Sequence, residues 1–245
     1  MSQHERGIRQ VPGFILLGFV LVFGMQVAYQ YNFKTRLSDQ FKQLDPPQVS
    51  AFYRSVSLGS DRLLSYLLIL GVQMHDNQAG LHRSYTHLDY QILGNWLQTL
   101  YELNPSSDYP AFLASRVYSQ VADAVKVRQM VVLIEELFEL NPRQHWRRMT
   151  EATLLAKHQL NDLPLALRLA EKISALPKSI EMPFWARDME IVLLDELNQH
   201  QSAQLLISSL LQSGEITDPD VIRFLQFRLL RIQQILSENR QEPKK

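Results

Sequence analysis

The phrase Leu100-Tyr-Glu-Leu-Asn-Pro105 returns as Leu137-Phe-Glu-Leu-Asn-Pro142, and Leu160-Asn-Asp-Leu163 returns as Leu197-Asn-Gln-His200, each time after 37 residues. A fixed period of this length means that one helical hairpin is being copied. Each copy has an apolar face that it cannot bury until a neighbour stacks against it. The period therefore predicts an array of stacked helices and directs attention to binding surfaces before catalytic ones.

The rest of the pattern agrees with helices. Between Tyr90 and Leu103 the apolar residues Ile92, Leu93, Trp96, Leu97, Leu100 and Leu103 recur at spacings of three and four, one stripe of a helix. Asn104-Pro105 then ends it, because proline lacks the amide donor and pushes the residue before it out of helical geometry. The same reasoning predicts helices near 110–120, 125–140, 144–159, 162–176, 183–198, 201–213 and 219–237. No strand-like alternation of useful length appears. The expected fold is all-α, an α-solenoid of stacked antiparallel helical hairpins over residues 57–237.

Ahead of the array, residues 11–33 contain no charge. A transmembrane helix needs about 20 predominantly apolar residues, at roughly 1.5 Å each through a hydrocarbon core of about 30 Å. Phe14, Ile15, Leu16, Leu17, Phe19, Val20, Leu21, Val22 and Phe23 would form the lipid-facing centre, with Tyr29, Tyr31, Lys34 and Arg36 at the headgroup level. Gln26-Val-Ala28 does not offer the paired small residues of a cleavage site, so an uncleaved anchor is expected. The division expected is thus a flank over 1–10, the anchor over 11–33, a juxtamembrane segment over 34–56, the repeat domain, and a polar tail over 238–245.

Lys plus Arg and Asp plus Glu are both 25, a balance that argues against a nucleic-acid partner. The absence of cysteine excludes disulfides, thiolate metal sites and cysteine nucleophiles. His75, Asp76, His82, His87 and Asp89 are the only cluster that invites a metal. His82 and His87 stand five apart and do not share a helical face, so a polar loop explains them as well and no metal site is expected. No phosphate loop, nucleophile elbow or His-Glu-x-x-His pattern occurs. The expectation is a protein with no cofactor and no enzymatic activity.

Two tryptophan–arginine pairs stand out: Trp146-Arg-Arg148 and Trp185-Ala-Arg187, each near the start of an expected first helix of a hairpin. Arg148 and Arg187, joined by Arg116 where helix phase permits, are candidates to read acidic groups of a protein partner, with Trp146 and Trp185 as anchors. The alternative is that both rings are inter-repeat core and both guanidiniums are rim residues.

Leu160-Asn-Asp-Leu-Pro-Leu-Ala-Leu-Arg-Leu-Ala-Glu-Lys-Ile173 resembles the second half of a tetratricopeptide repeat. A turn with Asn and Asp precedes Ala166, Ala170 and Ile173 at that family's small and apolar positions, and Pro177 stands in for its terminating proline one residue early. The period of 37 departs from the 34 usual in that family. The resemblance implies a scaffold that docks a protein partner during assembly or organisation of a membrane complex. The layout of anchor and repeats is similar to bacterial signal-anchor proteins, which implies a single-pass inner-membrane protein with the bulk of the chain in the periplasm. A constitutive structural subunit of a membrane complex, or a metal protein using residues 75–89, are the alternatives.

Overall fold

The structure, a computed structural model, describes residues 12–34, 44–75, 85–214 and 216–241. All regular structure among them is helical, with no strand. The chain divides into two compact units, residues 1–42 and 43–245.

The first unit contributes one helix, α1 (Gly13–Lys34). Its apolar side chains run around the whole circumference with no polar stripe, and all nine residues expected at the centre of an anchor are exposed. The apolar part, Gly13–Tyr29, is 17 residues long, and among the described residues no single helix is long and apolar enough to cross a membrane.

The second unit opens with α2 (Ser50–Val56), α3 (Asp61–Met74) and α4 (Tyr90–Leu103). There follow α5 (Tyr109–Phe112), which runs into a π-helical segment Leu113–Tyr118, then α6 (Ala124–Leu140) and α7 (Pro142–His158). The remainder is α8 (Leu163–Ser174), α9 (Phe184–Glu196), α10 (His200–Gln212) and α11 (Pro219–Gln241). The folded unit begins earlier than the expected Ser57. Leu44 and Tyr53 are buried, and the Trp96 indole N–H donates to the Asp45 carbonyl at 2.7 Å.

Local chemistry explains the helix boundaries. The side chains of Asp89, Asp123, Asn141 and Asp162 accept backbone N–H groups at the starts of α4, α6, α7 and α8, satisfying donors that a helix leaves unpaired. Asn141 both ends α6 and caps α7, so a single residue separates the two helices. The repeated Leu-Asn marks a left-handed turn: Asn161 and Asn198 have φ of 50° and 57°, a conformation asparagine tolerates better than most residues. The backbone N–H of Asp162 then reaches Ala156 O, and that of Gln199 reaches Leu194 O, closing the carbonyl ends of α7 and α9.

Packing follows chain order. α6 lies on α7, α7 on α8, α8 on α9 and α10 on α11, while α4 also touches α6. Ala166, Ala170 and Ile173 are fully buried on α8. Several tertiary polar contacts join residues 34 to 39 apart in the chain: Ser65 to Leu100 O at a separation of 35, Arg116 to Glu151 at 35, Arg128 to Asp162 at 34, and Lys157 to Glu196 at 39.

Candidate partner-binding groove

On α4, Gln91, Gly94, Asn95 and Gln98 follow one another at helical spacing, and on α6 Val125, Arg128, Gln129, Val132 and Glu136 do the same. The two stripes face each other across an open groove of about 400 Å³. The space beside Gly94 is open: a methyl group there would meet no atom within 4 Å. Tyr90 closes the floor at one end, its hydroxyl donating to Tyr118 O at 2.7 Å. A second recess of about 390 Å³, walled by Pro46, Pro47, Val49 and Glu102, shares Asn95 and Gln98 with the first. The two adjoin over α4.

The lining has a definite chemistry. Gln91, Asn95, Gln98 and Gln129 each carry a donor and an acceptor, set among the exposed valines Val125 and Val132. Arg128 at the edge is already paired with Asp162 at 2.9 Å. This combination suits a peptide main chain with small apolar side chains better than an anion.

The residues singled out from sequence lie elsewhere, Arg116 on the π-helical segment, Trp146 and Arg148 on α7, and Trp185 and Arg187 on α9. Arg148 on α7 donates through Nε to Asp108 Oδ2 at 2.8 Å and through one amino group to both oxygens of Glu151, at 3.0 and 2.9 Å. Arg116 joins the same carboxylate at 2.8 Å. Arg187 instead donates to the carbonyls of Ser174, Leu176, Pro177 and Ile180, stapling the loop between α8 and α9. Arg116 and Arg148 thus come together, whereas Arg187 serves a different structure. All three guanidiniums have partners within the chain.

The tryptophans also meet, with ring centroids 6.5 Å apart. Trp146 is 7% exposed and Trp185 56%, and the Arg147 guanidinium lies 5.2 Å over the Trp146 ring. Of the histidine cluster, Asp76 and His82 fall outside the described residues. His75 Nδ1 is 2.9 Å from Gly71 O, and Asp89 is the cap of α4. Among the described residues no three potential ligands gather into a metal site.

Sequence reasoning missed the acids that hold these arginines. Burial raises the Asp108 carboxyl, but hydrogen bonds from His145 and Arg148 outweigh it and hold it below its usual range. Glu151 behaves likewise: burial pushes it up, and hydrogen bonds from Arg116, Ser115 and Arg148 bring it down further. His145 is fully buried, 3.0 Å from Asp108 through Nδ1, with no partner for Nε2. On α6, burial opposes and hydrogen bonds from Arg168 and Lys172 overcome it at Glu135, whose pKa is lowered. Asp188 on α9 is the exception. Burial lifts it to about 6 against the pull of Arg228, and its Oδ1 has no hydrogen-bond partner. The one sign in the sequence was separation: His145 stands 37 residues from Asp108, one period.

No protein-family model, curated protein or solved structure matches this chain.

Proposed function

We propose that the chain is a membrane-anchored scaffold, a tetratricopeptide-like α-solenoid that binds an extended segment of a protein partner along the groove over α4. The observation that carries this reading is the contrast between two pairs of helices. On α7 and α9, Arg148 is held by Asp108 and Glu151 and Arg187 by backbone carbonyls, while the α4–α6 face presents four amides, Gln91 and Asn95 meeting only at 3.5 Å, and two exposed valines around an open channel. Amides oriented on rigid helices match the alternating donors and acceptors of a peptide backbone.

The solenoid reading is supported by contacts that repeat at separations of 34, 35 and 39 residues. The anchor reading is supported by α1: 22 helical residues with no charge before Lys34, and apolar side chains on every side. A helix apolar all round is stable only when protein or lipid surrounds it. Its apolar 17 residues lie at the short end of the roughly 17–25 that span a bilayer, a mismatch taken up by local thinning and by Tyr31 at the interface. Residues 43–245 then lie outside the cytoplasm of a bacterial cell, and the protein acts by docking, without catalysis.

A photo-crosslinking amino acid at Gln98 and at Gln129 tests the groove. Both positions should capture the same protein, and Gly94→Trp, which fills the channel, should abolish both adducts. The substitution replaces a helical glycine at which an added Cβ meets no atom within 4 Å, and circular dichroism of the variant should match that of the parent. Adducts indifferent to Gly94→Trp, or no adduct at either position, would refute the groove.

A further inference from the structure

α3 has two apolar faces. Ser65, Ile69 and Val72 are buried, with Ser65 Oγ donating to Leu100 O at 3.1 Å, which fixes one face on α4. The opposite stripe, Leu63, Tyr66, Leu67, Leu70 and Met74, is more than half exposed throughout, and no charged residue occurs from Leu63 to Met74. A terminal element of a helical stack ordinarily turns a polar face outward. This one does not.

The corner before it is stranger. Leu58 is 96% exposed and has φ of 52°, followed by Gly59 at 84°. A leucine in the left-handed region is strained, and one presented fully to water also loses any benefit of burial. α2 and α3 together pass as an apolar membrane segment, but they are bent by 115°. With one face committed to α4, they have only the other to offer.

We infer that the α2–α3 corner and the outer stripe of α3 lie in the lipid–water interface of the membrane that holds α1, with Leu58, Leu67 and Leu70 among the acyl chains. The inference rests on the anchor reading for the nearness of the bilayer. Nine residues, 35–43, join Lys34 to the buried Leu44, and even extended they reach no further than about 35 Å. A helix that lies in the interface carries an apolar stripe on one side and is fixed to something polar on the other, with cations at its edge. Here the folded unit supplies the second side, and the exposed Arg62 stands at the start of α3. The apolar exposure on the last helix differs. On α11, Phe227 and Leu230 are interleaved with Arg223 and Arg231, which are exposed as well.

Because the chain has no cysteine, single cysteines bearing an environment-sensitive fluorophore report one position each. The full-length protein is reconstituted into phosphatidylcholine–phosphatidylglycerol vesicles, labelled at Leu58, Leu67 or Leu70, with Leu17 for the anchor and Val125 and Leu230 as exposed controls. Spin-labelled lipid carrying its nitroxide near the headgroup should quench labels at 58, 67 and 70 at least twofold and leave 125 and 230 unchanged. Lipid with a deep nitroxide should quench the label at 17. Quenching at 17 without quenching at 58, 67 and 70 overturns the interfacial face and keeps the anchor. The reverse overturns the anchor and keeps the face. If labels at 67 and 70 are shielded from water yet insensitive to spin-labelled lipid, protein covers the stripe, a second copy or another segment of this chain, and the inference is wrong.

Discussion

Asp188 offers the sharpest test of how this helical unit is held together. It lies on α9, 8% exposed, with burial raising its pKa to about 6 and Oδ1 without a partner. In the unfolded chain the same carboxyl titrates near 3.9. Between about pH 4 and pH 6 the folded state therefore holds a proton that the unfolded state has released. Stability falls as pH rises through that window and levels off above it. Two pKa units correspond to about 3 kcal/mol at 1.36 kcal/mol per unit, the burden of carrying the buried charge at pH 8.

Asp188→Asn is nearly isosteric and permanently neutral. It should match the parent near pH 4 and exceed it by roughly 2–3 kcal/mol at pH 8. Urea unfolding in non-ionic detergent, followed by tryptophan fluorescence, is the suitable assay, because Trp96, Trp146 and Trp185 all fall in the second unit. Taking the difference between variant and parent cancels every other titrating group. Those groups act in the opposite sense: Asp108, Glu135 and Glu151 have lowered pKa values, so what they contribute is present above their unfolded values and is lost as pH falls through the folded ones. The parent should accordingly be most stable near about pH 5. A stability difference that does not change with pH, or an Asn variant weaker than the parent at pH 8, would show that Asp188 is not a buried unpaired charge.

The other predictions concern α7 and α9. Arg148→Ala should destabilise the unit by about 2–4 kcal/mol in the same assay, because it strands the partly buried Asp108 and Glu151; a loss below about 0.5 kcal/mol, the level of an ordinary surface change, would mean the network is ornamental. Trp146→Ala should cost roughly 3–5 kcal/mol through the cavity it leaves, while the half-exposed Trp185→Ala should cost about 1 kcal/mol, and equal losses would contradict the burial difference. Arg187→Ala should loosen the loop between α8 and α9, seen as faster amide exchange at residues 175–183, with the remaining helices protected as before.

How much of this was readable beforehand depends on the range of the signal. Helix starts and stops were legible because they are written in adjacent residues: Asn104 and Asn141 before proline, and Asp162 three residues ahead of an amide it caps. The repeated Leu-Asn was visible as a string, though only the backbone shows that it encodes a left-handed turn at Asn161 and Asn198. The π-helical stretch Leu113–Tyr118 falls inside the single helix expected over 110–120, since a single widened turn barely alters apolar spacing. α2 was lost inside the expected juxtamembrane segment because seven residues give too short a window for periodicity. Arg148 and Arg187 were visible as cations, but their partners were not. Asp108 is 40 residues upstream of Arg148, and the carbonyls that Arg187 gathers have no side-chain signature at all.

The equal numbers of acids and bases acquire a structural meaning once pairs are seen to bridge separate helices. Glu135 on α6 meets Arg168 and Lys172 on α8, and Arg128 meets Asp162. Arg168 and Arg128 remain about half exposed, and pairs so accessible contribute little each. The stacking energy must therefore come mainly from buried alanine, leucine and isoleucine, which are non-directional and would tolerate slippage. Ionic partners 33 to 37 residues apart supply what the apolar contacts lack, since a helix displaced by one turn would set Glu135 against the wrong neighbours. On this argument the charges fix register. Reversing Glu135 and Arg168 together should then restore most of what either reversal alone removes, and a double variant no more stable than the worse single one would contradict it.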